Sequence, residues 1–295
     1  MTRSLMAKGI LVASVWLGQT LACSTAAAII FDVGIDTTAR SGTAGALAID
    51  LIPGHGANSN TLTIRDFTTD ATLGAATAIG DVSGTISPGP AIIGEAQFLN
   101  DLQQEMTVGT FLRFRLDITT NGPFVPFSDE VSVFLLDANK APVATSDPSG
   151  ADALLLVDIT TAGPKLRVFT SNAAPVRASG CPTDVDLNGT TDVATDVVYA
   201  ARYLLGLAPV PPSFRALDPS IMSDALIAAG MATMGTMLDV DANGLVDVAT
   251  DIVYLARYRL GLSPVPPSFR VLDPTIASDG AIATRIDALC PLPPR

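Results

Sequence analysis

The stretch DVDLNGTTDVATD at Asp184–Asp196 returns 55 residues later as DVDANGLVDVATD at Asp239–Asp251. Residues 184–228 align with 239–283 without a gap, and 33 of the 45 positions are identical. The C-terminal part of the chain is therefore a tandem duplication. Each copy opens on an acidic loop followed by a helix-like apolar run. That order points to a small helical region organised around two loops.

The loops have the chemistry of a calcium site. Calcium takes roughly six to eight hard oxygens from a flexible loop. The first copy offers Asp184, Asp186 and Asn188 at positions one, three and five, then Gly189 at the sharp turn. Thr190 offers its carbonyl at position seven, and Asp192 follows at position nine. The second copy offers Asp239, Asp241, Asn243, Gly244, Leu245 and Asp247 in the same places. The apolar position eight is Val246 in the second loop and Thr191 in the first. An EF-hand loop ends on an acid at position twelve. Here the closing acids, Asp196 and Asp251, stand at thirteen. A bulge at the helix entrance is expected to take up the extra residue. Eight carboxylates crowd the two loops. They would repel one another unless neutralised, so two calcium ions are expected, coupled to folding.

Each loop leads into DVVYAARYLLGL or DIVYLARYRLGL, then PVPPSFR, LDP and a second helix. Gly206 and Gly261 suit helix stops, and Ser223 and Ser278 suit N-caps. Val197, Ala201 and Leu205 recur at helical spacing and are expected to face inward. The duplicated loops, with Ala201–Leu207 and Ala256–Leu262, resemble dockerins, calcium modules that plug secreted proteins into cohesin-bearing partners. The resemblance covers residues 181–290 and implies a two-fold-like helical domain with two buried calcium ions. It also implies a cohesin-like or other surface partner, met by Val193, Ala194 and Thr195 and by Val248, Ala249 and Thr250. The thirteen-residue loop and the PVPPSFR–LDP insertion depart from that family.

Upstream, the chain changes character. Residues 1–28 read as a secretory signal: Arg3 and Lys8, a short apolar run at Gly9–Leu17, and small residues at Ala26–Ala28. The apolar run is too short for a membrane span. Leu21-Ala22-Cys23 weighs as a lipid-anchor site, but Thr20 stands where such a box has Leu, so plain secretion to the cell surface or beyond is favoured. The two remaining cysteines, Cys181 and Cys290, are expected to form a disulfide in that compartment. Closing so long a loop restricts the unfolded chain by roughly 4–5 kcal/mol.

Residues 29–170 hold short β-type runs: 29–33, 46–52, 61–67, 111–119, 130–136, 153–159 and 165–170. In Phe111–Ile118, Leu112, Phe114, Leu116 and Ile118 share one face, and Arg113, Arg115 and Asp117 the other. An antiparallel, jelly-roll-like β-sandwich is expected, with one short helix at Glu95–Met106 and a linker at residues 171–180. The duplicated domain then fills 181–295. The motifs IGDVSGTI (Ile79–Ile86), Phe98–Leu116 and Phe127–Asp137 loosely resemble a family of secreted bacterial proteins often sorted to the surface. That resemblance implies a fold and export, and no activity.

The net charge of −12 argues against nucleic acid, which needs a basic face. His55 is the lone histidine, and nothing in the spacing selects a pair of carboxylates for glycoside hydrolysis. All four tyrosines lie in the repeats and the one tryptophan, Trp16, in the signal. The sandwich is left with Phe124 or Phe127 as sugar platforms. A non-catalytic, calcium-dependent attachment protein is the leading expectation. The alternatives are a dockerin-borne polysaccharide hydrolase or carbohydrate-binding protein, and a purely structural calcium-stiffened module.

Overall fold

The computed structural model describes residues 28–54, 60–121, 127–160, 163–218 and 220–290. The expected signal segment through residue 27, with Trp16 and Cys23, and also His55 and Phe124, lie outside the described residues. Twelve strands come first: β1 (Ile29–Asp36), β2 (Ala44–Ile52), β3 (Leu62–Thr69), β4 (Thr72–Ile79), β5 (Val82–Gly84), β6 (Ala91–Ile93), β7 (Asn100–Thr107), β8 (Phe111–Ile118), β9 (Asp129–Leu136), β10 (Leu155–Thr160), β11 (Gly163–Val168) and β12 (Val176–Ser179). They form two six-stranded antiparallel sheets, ordered β12-β1-β8-β3-β6-β5 and β11-β10-β9-β2-β7-β4.

Alternation builds the core. Leu112, Phe114, Leu116 and Ile118 of β8 are buried with Val33 and Ile35 of β1, and Leu47, Ile49 and Leu51 of β2 join them from the other sheet. Two expectations are corrected. Glu95–Met106 is not a helix; its second half is strand β7. Leu, Gln, Glu and Met favour helix locally, but pairing with both β2 and β4 decides the outcome. Leu102 and Met106 then fall on the core face at even spacing. The expected linker also contains a paired strand: β12 closes the edge of its sheet against β1.

After β12, each repeat follows one plan. The first has α1 (Val198–Leu204), α2 (Pro212–Leu217) and α3 (Asp224–Met234). The second has α4 (Val253–Arg259), α5 (Pro267–Leu272) and α6 (Asp279–Leu289). Ser223 and Ser278 cap α3 and α6 by accepting from Leu226 N and Ala281 N. Gly206, at φ +71°, ends α1. Its N–H donates to Tyr203 O and that of Leu207 to Arg202 O, closing a Schellman motif. Val197 is buried and Ala201 half-buried, but Leu205 is 62% exposed, because the helix has already ended there. The turn leading into α1 packs on α4, and the turn leading into α4 packs on α1. That reciprocal contact gives the pair a two-fold-like arrangement.

The helical region is joined to the sandwich by packing as well as by chain. Helix α3 lies on β8, and Phe111 of β8 belongs to the apolar cluster of the repeats. Cys181 and Cys290 form a disulfide, with Cα atoms 4.9 Å apart, tying the start of the first repeat to the end of the second. No helix among the described residues is long and apolar enough to cross a membrane.

Candidate metal centres

The late acid of each loop is brought home by a π-type turn. Val193–Val197 and Val248–Ile252 wind one residue wider than an α-helix. The N–H of Val197 donates to Asp192 O, and that of Ile252 to Asp247 O, both five residues back and both at 3.3 Å. The thirteenth residue therefore points where a twelfth would point without the bulge. Asp196 accepts from Val185 N at 2.7 Å and from Asp192 N at 2.9 Å, using one oxygen for each end of the loop. Asp251 does the same with Val240 N at 2.8 Å and Asp247 N at 2.9 Å.

The opening acids shape the turn. Asp184 accepts from Asn188 N at 3.0 Å and Gly189 N at 2.8 Å. Asp239 accepts from Asn243 N at 3.0 Å and Gly244 N at 2.9 Å. Gly189 and Gly244 sit at φ +92° and +89°, backbone that a side chain would strain. As a result, Asp184, Asp186 and Asp196 each place a carboxylate oxygen within 4.8 Å of the others. Asp239, Asp241 and Asp251 form the same group in the second loop.

The other expected ligands are placed differently. Asp192 and Asp247 cap the π turns, accepting from Thr195 N at 2.8 Å and Thr250 N at 2.7 Å. Asn188 and Asn243 accept from the N–H of Thr190 and Leu245 at positions seven, and those two residues lie exposed at the loop tips. Among the six expected partner-facing residues, Ala194 and Ala249 are exposed. Val193 and Val248 pack partly on the helical core. The hydroxyls of Thr195 and Thr250 bond back to Asp192 and Asp247.

Electrostatically, the loops are overloaded with like charge. Burial, then the charges of Asp186 and Asp184, push the Asp196 carboxyl up to about 8. Burial and Asp184 push Asp186 up to about 6, and burial and Asp241 push Asp251 to about 6. No ion pair reaches any of the six clustered acids among the described residues. The hydroxyls of Tyr199 and Tyr254 are buried without a partner, and each tyrosine feels the charge of its own loop's acids.

Carboxyl pairs also form in the sandwich. Asp50 and Asp101 face each other across β2 and β7, and burial, then Asp101, push the Asp50 carboxyl up to about 8. Asn60 bridges Glu95 and Asp129, its N–H donating to Glu95 at 3.1 Å and its side-chain amide to Asp129 at 2.7 Å. Phe127 is 68% exposed.

Sequence reasoning leaves out Arg113 and Arg177, which reach from the sandwich into the first loop. The available signal is position 230, glycine in the first repeat and Arg285 in the second. No family model matches the chain, and no curated protein matches it either.

Proposed function

We propose that the protein is an exported calcium-binding attachment protein, in which a dockerin-like pair of loops holds two calcium ions and presents a partner-binding surface, carried on a non-catalytic sandwich. The observation that supports it is the grouping of three carboxylates in each loop, none of them held in an ion pair among the described residues. The donors are all hard oxygens, the set that suits calcium. Asp184, Asp186 and Asp196, with Asn188, Thr190 and Asp192 beside them, would hold one ion. Asp239, Asp241 and Asp251, with Asn243, Leu245 and Asp247, would hold the other. Bound calcium supplies the positive charge that lets the acids stay ionised inside the fold. The unpartnered tyrosine hydroxyls beside each loop are further groups that a hydrated ion would satisfy.

Calorimetric titration of the full chain with calcium tests the reading. Two ions are expected per chain, with a rise in melting temperature. Asp196→Asn and Asp251→Asn are each expected to remove one. Absence of both heat and melting shift in the parent protein would sink the proposal. A calcium-dependent pull-down with a chelator control then tests attachment.

A further inference from the structure

The two repeats differ where the first one meets the sandwich. Gly34 of β1 lies in one row with Arg113 of β8 and Arg177 of β12. A Cβ on Gly34 would stand 2.6 Å from Met222, 2.7 Å from Leu226 and 3.1 Å from Leu187. The bare backbone thus lets three apolar side chains converge on the sheet. Arg113 passes Gly230 of α3, where any Cβ would overlap its guanidinium. It donates to Val185 O at 3.4 Å and Leu226 O at 3.2 Å. Arg177 donates to Ser220 O at 2.9 Å and Asp186 O at 3.4 Å.

The second repeat carries the counterpart of each helical-region residue 55 positions on. Leu187, Met222 and Leu226 become Ala242, Ala277 and Ala281, and Gly230 becomes Arg285. Arg285 donates to Val240 O at 3.2 Å, the counterpart of the Arg113 bond to Val185. The second repeat therefore supplies from its own helix an arginine that the first borrows from β8. It has no counterpart to Arg177. Among the described residues no arginine reaches the carbonyls of Asp241 or Thr275, which match Asp186 and Ser220. A groove of about 490 Å³ opens there, lined by Asp241, Ala242, Thr275, Ala277, Tyr254 and Phe269.

The geometry points to this groove as the docking surface for a pair of β-strands of another protein, one carrying an arginine and its neighbour an apolar side chain beside it. The arginine takes the place Arg177 has on the first repeat. The apolar side chain fills the room left by the three alanines, which are exposed or half-buried, where Gly34 had to be bare. Asp273 on the groove favours a cation through charge complementarity. A second copy of this chain does not fit the role, because its own Arg113–Gly34–Arg177 row is covered by its first repeat. The inference gives the attachment role proposed above a specific face, and rests on it only for a folded second loop.

The probe is a cyclised hairpin peptide copying Asp32–Asp36 paired with Val176–Ser179, with Gly34→Leu, titrated into the calcium-loaded full chain and followed by NMR. Saturable shifts at Ala242, Thr275, Ala277 and Ala281 are expected, and an Arg177→Gln copy should bind roughly tenfold more weakly. The protein variant Ala242→Leu/Ala277→Met/Ala281→Leu should reject the Gly34→Leu hairpin and accept the one with glycine. Unmoved resonances at millimolar peptide, or equal binding of the Arg177→Gln copy, overturn the inference. Sedimentation showing a dimer through this face also overturns it, giving the groove to a second copy. Calcium heats from the same sample separate the two failures: loops that load without hairpin binding leave the calcium reading intact.

Discussion

The two repeats have nearly one backbone and two different surroundings. Their closing acids accept the same pair of loop N–H groups at distances that agree within 0.1 Å. Yet Asp184 and Asp186 are buried against the sandwich, while Asp239 and Asp241 are half-buried. The consequence shows at the thirteenth position, where Asp196 is pushed to about 8 and Asp251 only to about 6. Local sequence sets the loop's geometry, and the neighbouring layer sets its electrostatics. The duplication thus makes one loop a joint inside the molecule and leaves the other facing outward.

The most severe way to break this difference is at α3. Gly230→Leu drives a side chain into the path of Arg113, which is 2% exposed. Overpacking and a displaced buried charge together are expected to cost about 3–5 kcal/mol, read by urea unfolding. Arg285→Gly, its mirror on the exposed side, should cost about 1 kcal/mol or less. Equal effects of the two would mean that Arg113 does not hold the joint.

A milder exchange probes loop position four. Leu187, 3% exposed, meets β1, whereas Ala242 is exposed. Leu187→Ala is expected to cost about 2–3 kcal/mol. Ala242→Leu should change stability by about 0.5 kcal/mol or less. Thermal melts of the two variants sharpen the comparison, because the substitutions are reversed copies of each other at matching positions.

Much of this is legible in the chain, and the exceptions have physical reasons. Alternation marks β1, β2, β3, β8, β9, β10 and β11, since their apolar faces must meet the other sheet. It fails for β4, whose Gly74, Ala75 and Ala76 carry little pattern and which lies at a sheet edge. It fails for β7, where helix-forming residues are overruled by pairing on both sides. The loops and the bulge at their helix entrance follow from spacing alone. The joint does not. Arg113 and Arg115 alternate with core residues and so read as a solvent face, but a second layer covers Arg113, and Arg115 is buried in an ion pair with Asp32 at 2.9 Å. Periodicity within one strand cannot report a layer that arrives a hundred residues later.

Sheet β11-β10-β9-β2-β7-β4 poses the loops' problem again, with two acids side by side. Asp50 faces Asp101 across the β2–β7 pairing, and burial, a hydrogen bond and the charge of Asp101 push Asp50 up to about 8. An unfolded aspartate titrates near about 4, so the native state binds the proton more tightly than the unfolded chain does. The stability this contributes is fully present below about pH 4 and is lost as pH rises through about 8. With calcium held in excess, so that the loops stay loaded, melting temperature should fall between about pH 6 and 8 and level off above. Asp50→Asn keeps a donor towards Asp101 while removing the titration, and should flatten that slope. The effect is the smallest of the three, because the pair is only partly shielded from water. An unchanged slope in Asp50→Asn would place the pH dependence elsewhere.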